Sequence, residues 1–244
     1  MNVSESSRLA AVHSRIASCR LCQDLFDTSK QPRRSEASPA TSALFIVSQA
    51  LAAGTQCLSG VPFFAPDGTL PDTGRRLEGF LNKLGFTLYP ANKVVLPKGV
   101  IAPGPIGLRQ AYNSEIIQCF PGRHNGRRGD KFPEKAARQC LDQHFLLEEI
   151  SLVRPRVILL LGTRAAHHFF RRYAADAPHP VRLRENLNAV RDGAPLSRFT
   201  IAGTEQAVVP LIHPSGMTAG RFKQLVMDNA PLCTALTACL TPSA

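Results

Sequence analysis

The sequence predicts an α/β fold: a three-layer α/β/α sandwich around a short, mainly parallel four-stranded sheet. Three runs, Ala43–Ser48, Arg156–Leu161 and Ala207–Ile212, are apolar with almost no polar alternation. Strands covered on both faces of a parallel sheet have this character. Segments of helical periodicity separate them, and alternating strands and helices pack into such layers. With 244 residues and 44% hydrophobic content the chain can bury a full core, so residues 1–244 read as one domain.

In chain order, Ser4 to Ala17 sets Leu9, Val12 and Ile16 on one face of a short amphipathic helix. It runs into Cys19-Arg20-Leu21-Cys22. A C-x-x-C places two thiols at one metal or cluster edge, but buried thiols or a redox pair give the same pattern. Residues 28–42 are polar, charged and Pro-containing, and read as a flexible loop. After the first strand, Gln49 to Gly74 is rich in Gly, Pro, Ala and Ser. Loops at this place carry the chemistry of many α/β proteins. This one holds Pro62-Phe63-Phe64, Asp67-Gly68 and Asp72-Thr73. A helix follows to about Leu84, closed by Gly85. Residues 86–110 carry Pro90, Pro97, Pro103 and Pro105 and read as an extended insertion or a hairpin.

Tyr112 to Cys140 is the stretch the rest can be read around. Tyr112–Phe120 is β-branched at its centre and reads as a strand, the second of the four in chain order, stopped by Pro121-Gly122. A polar loop with Arg123, Arg127, Arg128 and Lys131 follows. Pro133 then opens a helix expected to run through Cys140 to about Ile150. Beyond Arg156–Leu161, Gly162-Thr163 turns the chain into a helix, Arg164–Tyr173. Residues 174–203 read as irregular. Pro210 points to a sheet edge or a distorted strand at Ala207–Ile212, which ends in His213-Pro214-Ser215. One last helix is expected from about Arg221 to Leu240.

The net charge is +11, and 22 of the 29 basic residues are Arg. A planar fork of donors suits phosphate, so nucleic acid is the leading partner class; an Arg-biased composition alone would give the same excess. No apolar run is long enough to span a bilayer and no signal pattern opens the chain. A cytoplasmic monomer without a membrane partner is expected. Seven cysteines in that compartment point to metal ligation or burial rather than disulfides.

The order of these pieces resembles the uracil-DNA glycosylase superfamily, specifically its iron–sulfur branches, families four and five. A C-x-x-C, an apolar strand, a loop with Pro-Phe, a strand ending in Cys, a basic loop, a second Cys on a helix and a strand ending in His-Pro-Ser carry it, from about Ala17 to Arg221. The resemblance implies that Cys19, Cys22, Cys119 and Cys140 hold a four-iron four-sulfur (4Fe-4S) cluster of structural role. It implies that Phe63 stacks on a flipped base and that His213 bonds the leaving base. Arg123, Arg127, Arg128, Lys131, Ser215 and Arg221 would meet DNA, double- or single-stranded, and Met217 would enter the gap left by the flipped nucleotide. Cys57, Cys233 and Cys239 have no place in the pattern.

Two departures stand out. Where the family's catalytic loop begins Gly-Glu-Ala-Pro-Gly, this chain has Ser48-Gln49-Ala50-Leu51-Ala52. The acidic residue is replaced, so Asp67 is the first candidate to orient a water, Gln49 the second and Asp72 the third. Where the family has a base-reading Asn, this chain has Glu115, with Asn113 two residues away on the same strand face. A carboxylate has only acceptors and suits the exocyclic amine of a cytosine-type base better than uracil O4. The expected function is that of a monofunctional DNA glycosylase on such a base. A uracil glycosylase in base-excision repair, an antiphage enzyme acting on modified cytosine and a silent DNA-binding module are the alternatives.

Overall fold

The computed structural model describes residues 4–22, 39–50, 56–96, 98–120, 132–174 and 182–241. Helix α1 spans Glu5–Ser18, capped by Ser4, whose hydroxyl accepts from the Ser7 amide. Strand β1 (Leu44–Ala50), the helical turn α2 (Gln56–Ser59) and helix α3 (Asp72–Lys83) follow. Gly85, at φ 77°, lets the chain leave α3 in a left-handed conformation. The short strands β2 (Phe86–Thr87), β3 (Val94–Leu96), β4 (Gly99–Ile101) and β5 (Arg109–Gln110) lead to β6 (Tyr112–Ile117). Next come α4 (Glu134–Asp142), α5 (Phe145–Val153), β7 (Val157–Leu161), α6 (Thr163–Tyr173), α7 (Leu183–Arg191), β8 (Arg198–Ile201) and β9 (Thr204–Leu211). Helix α8 (Ala219–Phe222) passes through a π turn, Lys223–Met227, and α9 (Ala230–Leu240) closes the described chain.

The central sheet has the order β6-β1-β7-β9-β8. The first four strands are mutually parallel, and β8 runs antiparallel to β9. The four parallel strands are those the sequence predicts: three from apolar runs and β6 from the β-branched stretch after Tyr112. The sheet nevertheless has five strands rather than four, because Arg198–Ile201 folds back on an extended start of β9 through Ala202-Gly203. The β8 ladder covers only Thr204–Ala207, so Pro210 lies beyond it and its missing N–H breaks no bond to β8.

Side chains alternate across the sheet. Phe45, Val47, Ile158, Leu160 and Val208 face a core formed with α1, α4, α5 and α6. Leu44, Ile46, Leu159, Val209 and Leu211 face a second core formed with α3, α7 and α9. These are the outer layers of the sandwich. Two predicted helices are each divided. The one from Pro133 breaks at His144, which is left-handed at φ 60°, giving α4 and α5. The one from Arg221 breaks after the π turn, where Asn229 caps α9 and Pro231 occupies its first turn. Residues 174–203, expected to be irregular, hold α7 and β8. Residues 86–110 hold an antiparallel β3–β4 hairpin flanked by a parallel β2–β5 pair. Much of the predicted loop at 28–42 lies outside the described residues. No described helix is long and apolar enough to cross a membrane.

The chain crosses from β1 to β6 on one side, then to β7 on the other. The carboxyl ends of β1 and β7 therefore flank a topological switch point, where open α/β sheets place their ligands.

Candidate active site

Three adjacent strands deliver three residues to this switch point: Gln49 at the end of β1, Gly162 after β7 and His213 after β9. Gly162 has φ 91°, which a side chain resists. A Cβ placed there would lie 3.4 Å from Gln49 Nε2 and 3.4 Å from His213 Cβ. The three form part of the wall of a cavity of about 720 Å³. Burial pushes the His213 pKa below the ordinary imidazole value, so the ring is neutral at neutral pH.

Four arginines line the other cavity walls, together with Glu185 and apolar residues such as Leu183 and Ile212. Arg164 comes from the start of α6, Arg182 and Arg184 from the start of α7, and Arg221 from α8. Arg182 is paired with Glu185 at 3.1 Å. The sequence points to Arg221 but not to Arg164 or Arg184, since α7 falls in a stretch expected to be irregular. The signal for Arg164 is its place just beyond a buried parallel strand, where ligands bind.

The His213-Pro214-Ser215 turn is clamped from two directions. Thr218 Oγ1 donates to the His213 carbonyl and lies 3.0 Å from Ser215 Oγ. From α3, Arg76 donates to the Pro214 carbonyl at 3.0 Å and is held by Asp72 at 3.5 Å. Asp72, the third candidate for orienting water, thus serves as an anchor at the start of α3. Met217, two residues past Ser215, is 90% exposed.

Phe63 adopts a left-handed backbone at φ 66°, rare for an aromatic residue and typical of functional loops. Phe63 Cβ lies beside Gly74, where an added Cβ would stand 3.4 Å from it and 2.8 Å from Leu70 Cδ2. Phe63 is half-buried, whereas Phe64 is fully buried edge-on to Tyr89. Asp67 is exposed and closes a turn, accepting from the Thr69 amide at 2.9 Å and the Thr69 hydroxyl at 2.7 Å. Those bonds hold its carboxyl below the usual range. Asp67 is not among the residues lining the cavity with Gln49 and His213.

Glu115 and Asn113 are buried in β6, on the face opposite Tyr112 and Ser114. They pair in register with Ser48 and Ile46 of β1. Ile46 belongs to the core that Phe63 packs against, so both candidate base readers share the sheet face of Phe63. Neither lines the described cavity. On the other face, Tyr112 and Ser114 both donate to the buried carboxylate of Glu149.

The four cysteines converge. Cys19 ends α1 and Cys22 lies one turn on; Cys119 follows β6 and Cys140 sits in the last turn of α4. Burial pushes the Cys119 thiol up to about 11, and Cys19 and Cys22 add to the shift. Cys140 is pushed up to about 12 by burial, with further raising from Cys119, Cys22 and Cys19. Each of these thiols is therefore close enough to sense the others. Cys22 donates to Gln139 Oε1 at 3.2 Å. Among the described residues, no group of three or more His, Cys, Asp or Glu side chains is arranged to hold a metal ion. Arg123, Arg127, Arg128 and Lys131 lie outside the described residues.

The model of the uracil DNA glycosylase superfamily matches residues 35–236. The chain belongs to that superfamily, and membership supports DNA glycosylase activity. Among solved structures it is similar to wild-type SMUG2 from Pedobacter heparinus, with 13% identity and a TM-score of 0.42 over 81% of this chain and 74% of that one. No curated protein matches the sequence.

Proposed function

We propose that the chain is a monofunctional DNA glycosylase that removes a flipped, cytosine-type base and leaves an abasic site. The observation that carries this is the meeting of Gln49 and His213 across Gly162 at the switch point, beside an arginine-lined cavity. Cleaving an N-glycosidic bond in DNA requires the nucleotide out of the stack, a surface for the base to rest on and a donor for the departing charge. Half-buried Phe63 offers the π-face. His213, kept neutral by desolvation, retains one ring N–H and donates it to the leaving base. Gln49 orients the water that meets the oxocarbenium-like sugar; an amide positions but does not deprotonate, so leaving-group stabilisation carries most of the rate. Asp67, tied to Thr69 and away from the cavity lining, is a loop-closing residue on this reading. Arg164, Arg184 and Arg221 meet phosphates, with Arg123, Arg127, Arg128 and Lys131 joining them from the basic loop. Exposed Met217 fills the gap left in the stack.

Glu115 is proposed to read the base by accepting from its exocyclic amine. The same sheet face also presents Asn113, which favours the second reading, a uracil glycosylase in which an amide meets both O4 and N3–H.

The four thiols fit a four-iron four-sulfur cluster. They come from three separate segments, with Cys22, Cys119 and Cys140 buried and Cys19 half-buried, and the neighbouring thiols raise one another's pKa, which supports this reading. A cluster is larger than one ion, so its thiols stand farther apart than the ligands of a zinc site. Bound there, it would link α1, β6 and α4 and hold both ends of the basic loop; its role is structural.

The test is incubation with duplexes differing in one base, followed by alkaline cleavage. Abasic sites at one class of base support the proposal. Binding to every duplex with no strand cleavage identifies a silent DNA-binding module.

A further inference from the structure

The β3–β4 hairpin has no part in the site described above, yet it is built onto the loop that carries Phe63. Its strands pair Val94 with Ile101, Val95 with Val100 and Leu96 with Gly99. The inner row is apolar and packed: Ile101 is fully buried and Val94 and Leu96 join the core under α3. The outer row is apolar and uncovered: Val95 is 76% exposed and its direct partner Val100 is 44% exposed. Exposed Lys93 and Lys98 flank this pair. The hairpin meets the Asp67-Gly68 turn backbone to backbone, since a Cβ on Gly99 would overlap the Asp67 carbonyl and one on Gly68 would overlap the Val100 carbonyl. Only glycine at both positions allows this approach. That turn begins two residues after Phe63, and it is fastened by Ala65–Thr69 and Gly68–Ala65 backbone bonds.

We propose that this two-stranded ribbon is a second DNA-binding element, which enters a groove of duplex DNA beside the flipped nucleotide. This rests on the glycosylase reading above. A two-stranded ribbon fits the major groove, apolar side chains there meet sugars and thymine methyls, and lysines at its margins meet the two phosphate rows. Charge complementarity names the occupant: an apolar pair framed by two cations, next to a site for a polyanion. The acid in the turn beneath the hairpin, Asp67, is occupied by Thr69. A ribbon of this kind needs both strands of the duplex, so it sets a preference for double-stranded over single-stranded substrate.

The test uses the full chain with Lys93→Gln/Lys98→Gln and, separately, Val95→Thr/Val100→Thr, exposed positions of which Val100 approaches Gly68 through its backbone and not its side chain. Binding to duplex and to single strands of the same sequence is measured over a range of salt. The lysine variant should bind duplex roughly tenfold more weakly at physiological salt, with its salt slope reduced by about 2, close to 0.9 for each phosphate no longer neutralised. Single-strand binding and melting temperature should not change. The valine variant should lower duplex affinity with the slope intact. Equal losses on both substrates, or none, overturn the proposal. So does a native dimer in light scattering that the valine variant dissolves with DNA binding unchanged; this would assign the face to a second copy. If the native chain binds neither DNA, the glycosylase reading itself fails, a result distinct from failure of the ribbon alone.

Discussion

Gln49 and His213 are held against the same face of Gly162, each 3.4 Å from where a side-chain carbon on that glycine would stand. A backbone position from the central strand β7 thus acts as the spacer between polar groups from its two neighbours. Gly162→Ala should disturb both at once, by crowding and by forcing a side chain to φ 91°. Strain of this kind costs about 1–3 kcal/mol. The expected outcome is a melting temperature lower by several degrees and base excision slowed at least tenfold, with DNA affinity retained. Stopped-assay rates and thermal melts check it.

His213 gives a pH prediction with a definite sign. Burial lowers its folded pKa from 6.5, so between the folded value and 6.5 the unfolded chain binds more protons. The stability linked to this group is full above pH 6.5 and is lost as pH falls toward the folded value. Because the ring keeps an N–H donor in either protonation state, the excision rate should fall in acid only as far as the stability linked to His213 does. His213→Ala, which leaves no side-chain donor, should lower the rate about 100-fold, the scale of losing one preorganised donor.

Arg76 positions the turn that carries His213. Arg76→Ala frees the Pro214 carbonyl and should lower kcat about tenfold with little change in KM. Asp72→Asn should do less, because the Asp72 side chain is 65% exposed and such pairs are weak. Single-turnover kinetics separate the effect from DNA binding.

Three of the four parallel strands are legible in the sequence because continuous apolar runs have few other uses in a chain of this length, and β6 shows through its β-branched Ile116-Ile117. The fifth is not: Arg198–Ile201 alternates exposed and buried residues, and its turn is Ala202-Gly203 where Asn-Gly would have announced a hairpin. Helix α7 is hard to see because Leu187 is its one fully buried residue, although Leu183, Leu187 and Val190 keep helical spacing. Without α7, Arg184 has no place at the site. Gln49 and His213 stand out because both end buried strands. Asp67 is a candidate through its nearness to Phe63, and its bonds to Thr69 follow from turn chemistry, for which Asp-Gly is already a signal.

The cysteine patch predicts a brown protein with a thiolate-to-iron absorption band. Cys119→Ala or Cys140→Ala should remove colour and solubility together, since cluster ligation feeds directly into folding. Iron and sulfide analysis checks it; a colourless, fully active protein containing zinc or no metal would end the cluster proposal.

Base choice tests the central claim most directly. Duplexes with uracil, cytosine or C5-modified cytosine at one position are incubated with the native chain, Glu115→Asn and Glu115→Gln, and abasic sites are revealed by alkali. Glu115 is 1% exposed, and where water is that well excluded an acceptor set against uracil O4 costs on the order of a few kcal/mol. The native protein should therefore leave abasic sites at a base with an exocyclic amine, and the amide variants should lose that activity or turn to uracil. Strong native excision of uracil, unchanged by either substitution, would contradict the account.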